Sequence, residues 1–306
     1  MQKRKGAKMA DKRIGVIGLG NMGRGMCETL VREGFNVFGV DVDNGQRQLA
    51  KALGVTVCDS PRTLCSQTQQ LILSLPKAEH VESVILGADG VLAHAQPNTL
   101  VLDTSTSKPE VSQQLAITMQ QSGHRFLDTP VSGGPSGAQA GTMVMLVGGD
   151  EGALGRAKSI LTCLSSKWVY LGGSGCGHAA KLINNLLCAA HLLTTAEAVA
   201  IGQQVGLSAD KLLAGVNAGS GRSGVSEVNF PKWVLGDDFD SGFSMGLMRK
   251  DLELARQLIA GTGLDLTLSE QVLGTWQASN QILADNEDFN RVIEVVDGMQ
   301  VTTEAG

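Results

Sequence analysis

The sequence predicts a parallel α/β domain followed by an all-α domain, and three observations carry that reading. Short apolar strand-like runs alternate with helical stretches through the first half of the chain. A Gly18-Leu19-Gly20-Asn21-Met22-Gly23 turn joins the first strand to the first helix. After Gly177 the strand signals nearly vanish, and Ala- and Leu-rich helical stretches take over. A chain of 306 residues is long for one domain, so two are expected.

Taken in order, Lys12 to Gly18 (KRIGVIG) reads as a short buried strand. Asn21 to Glu33 reads as a helix, which Gly34 stops. Asn36 to Asp41 is a second strand, and Gln46 to Leu53 a second helix closed by Gly54. Val55 to Cys58, Gln70 to Leu75 and Thr99 to Asp103 are further strands, with helices at Ala78 to Leu86 and Pro109 to Ser122. Arg125 to Asp128, Thr142 to Gly148 and Lys167 to Leu171 are later strands around a helix at Glu151 to Leu164. Beyond the boundary, His178 to Val205 is a long helix, apolar on most sides and therefore expected to be buried. Ser208 is the N-cap of a helix over Ser208 to Asn217. Lys250 to Ala260, Leu268 to Ala284 and Phe289 to Val296 complete the helical half. The domains are therefore expected at 12–174 and 175–298, after a disordered leader at 1–11.

Composition excludes several functions. A net charge of -5 argues against nucleic acid or an anionic membrane as the main partner. No apolar run reaches the roughly 18 residues of a membrane span. The six cysteines form no CxxC pair, so reduced thiols are expected, without a disulfide frame or zinc site. Met1 to Lys12 carries five Lys and Arg but no apolar core for a signal peptide. The expectation is a cytoplasmic protein with no membrane partner. The Ala- and Leu-rich surface is hard to bury within about 130 residues, which predicts a homo-oligomer.

The glycine turn carries specific chemistry. Gly18 permits the tight turn, Gly20 lets backbone approach a pyrophosphate, and Gly23 lets the helix pack on the strand. Asp41 ends the second strand 18 residues after Gly23, near the spacing at which a carboxylate meets the adenosine ribose. This is a Rossmann-like dinucleotide site, with Gly18, Leu19, Gly20, Asn21, Met22, Gly23 and Asp41 as its residues. Asp41 would repel a 2′-phosphate, and Val42-Asp43-Asn44 offers no arginine for one. NAD is the expected cofactor and NADP the weaker fit, with Arg47 the one nearby cation that tempers the choice.

In the second half, Gly175-Cys176-Gly177 opens a helix on which Lys181 and Asn185 lie four residues apart, on one face. A cation and an amide facing the same way in an apolar segment need a polar partner. Other segments recur in a familiar order: Asp103-Thr104-Ser105-Thr106-Ser107-Lys108-Pro109, then Asp128-Thr129-Pro130-Val131-Ser132-Gly133-Gly134 and Gly137-Ala138, Gly141-Thr142. Phe243, Lys250-Asp251 and Leu254-Ala255 follow in the helical half. Together these motifs, spanning about Lys12 to Val296, resemble the β-hydroxyacid dehydrogenase family, the type of 3-hydroxyisobutyrate dehydrogenase and tartronate semialdehyde reductase.

The resemblance implies a role for each residue. Lys181 matches the family's proton-transfer lysine, and burial with a neighbouring positive nicotinamide would lower its pKa toward a useful range. Asn185 binds the substrate's hydroxyl or carboxylate, with Asn184 the weaker candidate. Ser132, Gly133 and Gly134 match the substrate-carboxylate loop, where backbone N–H groups and a hydroxyl cradle an anion. Thr106 and Leu75-Pro76 line the cofactor, and Lys250 reaches it from the helical domain, which sets the active site between domains. Asp251 ties Lys250 or a helix end in place. Outside the resemblance, since the family varies here, Arg222 in the flexible Gly219–Gly224 loop is a candidate for a second anionic group on the substrate.

His178 and His191 read as satisfied helical histidines, and no cluster has metal-ligand spacing, so no metal is expected. The function implied is interconversion of a short 3-hydroxyacid and its semialdehyde or keto acid, with a small carboxylate as substrate. An imine-reductase-like enzyme is one alternative, against which Lys181 argues. A non-catalytic dinucleotide-binding scaffold is another, and a 6-phosphogluconate dehydrogenase would need a larger helical domain.

Overall fold

The structure, a computed structural model, describes residues 12–298. The expected leader at residues 1–11 lies outside the described residues. The chain divides into two compact units between His178 and Ala179, inside one long helix.

The first unit is a nine-stranded sheet with helices on both faces. Its strands are β1 (Arg13–Ile17), β2 (Asn36–Val40), β3 (Thr56–Val57), β4 (Gln70–Leu73), β5 (Leu100–Asp103), β6 (Arg125–Asp128), β7 (Val131–Ser132), β8 (Met143–Gly149) and β9 (Ser165–Tyr170). They lie in the order β3-β2-β1-β4-β5-β6-β8-β7, with β9 on β8. From β3 through β6 every pairing is parallel. β8 departs from the parallel expectation by running antiparallel to β6. The central strands are continuous apolar runs because both of their faces are covered. One face packs Ile14, Val16, Leu100 and Leu102 under Met26, Leu30, Ile160 and Leu161. The other packs Ile17, Leu71, Leu73 and Val101 under Val81, Ile85, Leu115 and Met119.

The helices of this unit are α1 (Asn21–Arg32), α2 (Asn44–Ala52), α3 (Pro61–Cys65), α4 (Ala78–Leu86), α5 (Val91–His94), α6 (Pro109–Gln121), α7 (Gly134–Ala140) and α8 (Glu151–Leu164). The sequence reading had no place for α3, α5 or α7, each seven residues or fewer, because so few turns give no readable apolar period. The strand order reverses direction at β1 and β4, and a crevice for a ligand opens at such a point, beyond the carboxyl ends of the strands. The turn from β1 into α1 carries Gly18–Gly23, the loops leaving β4 and β5 carry Leu75-Pro76 and Thr106, and Ser132 ends β7, the short strand after β6.

The second unit is helical, as expected. It is built on α9 (Cys176–Gln204), α10 (Ala209–Ala218), α11 (Met245–Thr262) and α12 (Thr267–Ala278). Ala189, Leu192, Ala196 and Val199 of α9 pack with Phe230, Val234, Met248, Leu252, Trp276 and Ile293 in one core. Trp276 also donates its indole N–H to the Ala189 carbonyl at 3.3 Å. Over an 18-residue window α9 averages a hydropathy of 1.3, long and apolar enough by length and composition to cross a membrane. It holds no unbroken apolar run of that length, because His191, Thr194, Thr195 and Glu197 interrupt it. Val225–Val234 is a π-helical segment that the sequence did not announce. Pro231 inside it has no N–H to give a regular α ladder. Phe289–Val295 is 3-10 rather than α.

Candidate active site

In the first unit a backbone cradle is built from consecutive residues. Gly18 sits at φ +93°, and a Cβ there would lie 2.2 Å from the Ser74 carbonyl oxygen. At Gly23 a Cβ would lie 1.9 Å from the Gly18 oxygen, so α1 can pack this closely only on glycine. Gly20 is different: a Cβ there would meet nothing of the protein within 4 Å. The space beside Gly20 is open to a group from outside the chain. No side chain caps the start of α1 at Gly20. Its first-turn N–H groups, those of Asn21, Met22 and Gly23, are the kind of donors a pyrophosphate takes. The cradle therefore fits a dinucleotide.

Asp41 is held at the rim of this cradle. Its carboxylate accepts the N–H of Leu19 at 2.6 Å and that of Asp43 at 2.8 Å. Arg47 donates Nε to the Asp41 carbonyl at 2.6 Å, and Arg24 reaches Gln46 at 2.6 Å and Asn21 at 3.1 Å. One guanidinium thus holds the Asp41 backbone, and the other bridges Gln46 of α2 and Asn21 of α1. Across the switch point, Leu75 N–H donates to Ser105 Oγ at 2.9 Å, which joins the loop after β4 to the loop carrying half-buried Thr106. Pro76 is exposed beside it.

Ser132, Gly133 and Gly134 form less of a loop than the sequence suggested. Ser132 ends β7, Gly133 caps the seven-residue α7 at φ 124°, and Gly134 opens it at φ 62°. Both glycines take a backbone conformation that side chains rarely adopt. Ser132 stays half-exposed with its hydroxyl at the end of the strand.

The start of α9 is tied down by a residue the sequence reading had not singled out. Asp128, fully buried at the end of β6, accepts the N–H of Gly175 at 2.8 Å and of His178 at 3.0 Å. Gly177 lies against the same carboxylate, where a Cβ would fall 2.8 Å from Oδ2 and 2.6 Å from the Leu146 oxygen. The available signal was an aspartate closing each of two consecutive apolar strands, LVLD and RFLD.

In the second unit the expected side chains come together around Asp251. Lys181 is 7% exposed and Asn185 4%, both on the buried side of α9. Asn185 Nδ2 donates to Asp251 Oδ2 at 2.7 Å, and Lys250 Nζ lies 3.1 Å from Asp251 Oδ1. Burial pushes the Lys181 ammonium below the ordinary lysine range, while the Asp251 carboxylate opposes the fall and the Lys250 charge adds to it. Asp251 thus ties Lys250, as the sequence suggested, and Asn185 as well. Asn184 faces solvent and donates to Asn185 Oδ1 at 3.2 Å. Arg222 is exposed in the loop between α10 and the π-helical segment. Among the described residues no group of three His, Cys, Asp or Glu side chains could hold a metal ion.

Known proteins are similar to this chain along most of its length. Residues 13–172 match the family model described as the NAD binding domain of 6-phosphogluconate dehydrogenase. Residues 175–296 match that described as NAD-binding of NADP-dependent 3-hydroxyisobutyrate dehydrogenase. The 2-(hydroxymethyl)glutarate dehydrogenase of Eubacterium barkeri is 30% identical over 96% of this chain and 98% of its own. The mitochondrial 3-hydroxyisobutyrate dehydrogenase of Mus musculus is 35% identical over 92% of this chain and 86% of its own. Among solved structures, Mycobacterium tuberculosis 3-hydroxyisobutyrate dehydrogenase with L-serine superposes with a TM-score of 0.85. It is 34% identical, covering 92% of this chain and 98% of that one.

Proposed function

The chain belongs to the β-hydroxyacid dehydrogenase family, and on that footing we propose that it interconverts a short 3-hydroxyacid and its semialdehyde or keto acid with NAD(H), Lys181 being the proton-transfer group. The observation that carries the reading is the buried Lys181 set beside the Asn185–Asp251–Lys250 network. A buried lysine with a lowered pKa holds a lone pair nearer neutral pH, which is what a group that takes a hydroxyl proton requires. When bound, the dinucleotide supplies the hydride acceptor or donor.

The remaining roles follow from chemistry already described. Gly18 to Gly23 hold the pyrophosphate and Asp41 the adenosine ribose. Leu75, Pro76, Thr106 and Lys250 take the nicotinamide half. Ser132 with Gly133 and Gly134 receives the substrate carboxylate, and Asn185, fixed by Asp251, orients the hydroxyl. Lys181 accepts the hydroxyl proton in oxidation and returns it in reduction. Arg222, on its exposed loop, is the candidate for a second anionic group. The E. barkeri relative, named for a hydroxymethylglutarate, supports including dicarboxylates among the substrates tested.

The carboxylate of Asp41 supports NAD over NADP, since a 2′-phosphate would meet a fixed negative charge. Exposed Ile183, Leu187 and Ile201 on α9, with Val205 in the turn just after it, support a homo-oligomer, which light scattering in solution tests. The activity is tested by following NADH absorbance over short 3-hydroxyacids, their semialdehydes and dicarboxylate analogues, with NADP(H) alongside. Turnover by the wild type that disappears in Lys181→Ala supports the reading. A wild type that binds NADH yet turns over no member of the panel refutes it and favours a scaffold or an imine-reducing enzyme.

A further inference from the structure

The loops expected to receive the nicotinamide half are joined by a buried polar chain that begins at His178. His178 is fully buried as the third residue of α9. Its Nε2 lies 2.7 Å from the carbonyl oxygen of Ser105. A carbonyl can only accept, so Nε2 carries a proton and donates it. Nδ1 lies 2.6 Å from the Ser112 hydroxyl, on α6. The backbone N–H of His178 is held by Asp128 at 3.0 Å. Ring and backbone are therefore fixed independently, the ring by α6 and the loop after β5, the backbone by the end of β6.

Ser105 passes this constraint on. Its N–H donates to Asp103 Oδ1 at 3.0 Å, and its Oγ accepts the N–H of Leu75 at 2.9 Å. With its carbonyl on His178, Ser105 is bonded at its N–H, its carbonyl and its hydroxyl, and it is buried. The residue next to it is Thr106, and the residue it holds is Leu75. One side chain thus stands behind both loops. Asp103 Oδ2, 4.0 Å from His178 Nε2, takes no hydrogen bond of its own. Replacing the histidine by an apolar group would leave the Ser105 carbonyl without its buried donor, a loss larger than that of an exposed bond.

We propose that His178 is a positioning residue for the nicotinamide half of the dinucleotide, acting through Ser105 on Thr106 and Leu75. The proposal rests on the reading of Leu75, Pro76 and Thr106 as cofactor-lining residues. It makes the two halves of the cofactor separable. The adenosine and pyrophosphate half is held by Gly18 to Gly23 and Asp41, none of which His178 or Ser105 touches through these bonds.

The test compares two probes, NADH and ADP-ribose, the second lacking the nicotinamide, by calorimetric titration of the full chain. Wild type must bind both; a folded wild type that binds neither refutes the dinucleotide reading itself, and this proposal with it. In His178→Leu the NADH dissociation constant is expected to rise about tenfold while that of ADP-ribose stays within twofold. His178→Gln, whose amide reaches as far as Nε2 and donates to a carbonyl, is expected to restore most of the NADH affinity. A parallel fall for both probes means a merely structural role and overturns the proposal, as does unchanged NADH binding. Should His178→Leu fail to fold, Ser105→Ala removes only the Oγ that holds Leu75 and carries the same expectation.

Discussion

The Gly18–Gly23 cradle and the Lys181 cluster hold opposite kinds of site. The cradle is made of backbone and of missing side chains, from six consecutive residues with Asp41 bonded at its rim. The Lys181 cluster is made of side chains, and its central bond, Asn185 to Asp251, joins residues 66 apart in sequence. A backbone site fails when an atom is added, and a side-chain site fails when a charge is removed. The two regions therefore call for opposite substitutions.

The largest effect is expected from the side-chain site. Lys181→Ala should lower kcat by about a thousandfold, the middle of the range for removing a general acid–base group. NADH affinity should change by no more than about threefold in the same variant, because the cradle is untouched. Thermal stability should hold or rise, since a lysine buried at 7% exposure costs desolvation that alanine does not. Single-turnover kinetics with a parallel titration separates these readouts. Loss of binding in step with loss of turnover would merge the two sites and break the comparison.

The cradle responds to added atoms in two distinct ways. Gly23→Ala places a methyl 1.9 Å from the Gly18 oxygen, so it should destabilise the first unit by about 3 kcal/mol or more. Gly20→Ala meets nothing within the chain, so the melting temperature should stay put while NADH affinity falls about tenfold or more. Melting curves with and without NADH distinguish them. If Gly20→Ala binds NADH as the wild type does, the pyrophosphate does not lie against that turn.

The same contrast explains what could be read from the sequence. The cradle was legible because its parts are adjacent and its glycines have few other uses after a buried strand. Lys181 and Asn185 were legible as a pair by helical spacing, but their partner Asp251 lies on another helix, and the sequence offered it only as a tie for Lys250 or a helix end. The sequence reads His178 as a satisfied helical histidine, and it is one; that it holds the Ser105 carbonyl depends on tertiary packing across 73 residues. The π-helical segment around Pro231 escaped because proline inside a helix signals only an end or a kink. The short α7 escaped because Gly133 and Gly134 read as a turn, and their positive φ values do belong to one at its entry.

A smaller effect sharpens the account of Lys181. Asp251→Asn keeps an acceptor for Asn185 but removes the negative charge that opposes the fall of the lysine pKa. The Lys181 pKa should then drop further. In oxidation the neutral lysine is the active form, so the rising limb of the kcat–pH profile should move to lower pH. In reduction the protonated lysine is active, so the falling limb should also move to lower pH. The rate at each new optimum should fall by about tenfold or less, because Asn185 is still held. Profiles in both directions check the sign, and a shift toward higher pH would mean that Asp251 does not act through the lysine charge.

The last effect concerns the choice of dinucleotide, where the cradle region does depend on charge. The Asp41 carboxylate is fixed by Leu19 and Asp43, so it cannot swing away from a 2′-phosphate, while Arg47 and Arg24 are bonded in its neighbourhood. Repulsion from the one anion and attraction from the two cations oppose each other, which predicts a preference for NAD that a single change can reverse. In Asp41→Asn the side-chain oxygen still accepts from a backbone N–H, so the loop should keep its shape. The ratio of kcat/KM for NADP over NAD should then rise about tenfold, the size of one partly screened charge–charge contact. An unchanged ratio would mean that the two arginines already neutralise Asp41, and that its contribution to the cradle is the hydrogen bond to Leu19 rather than its charge.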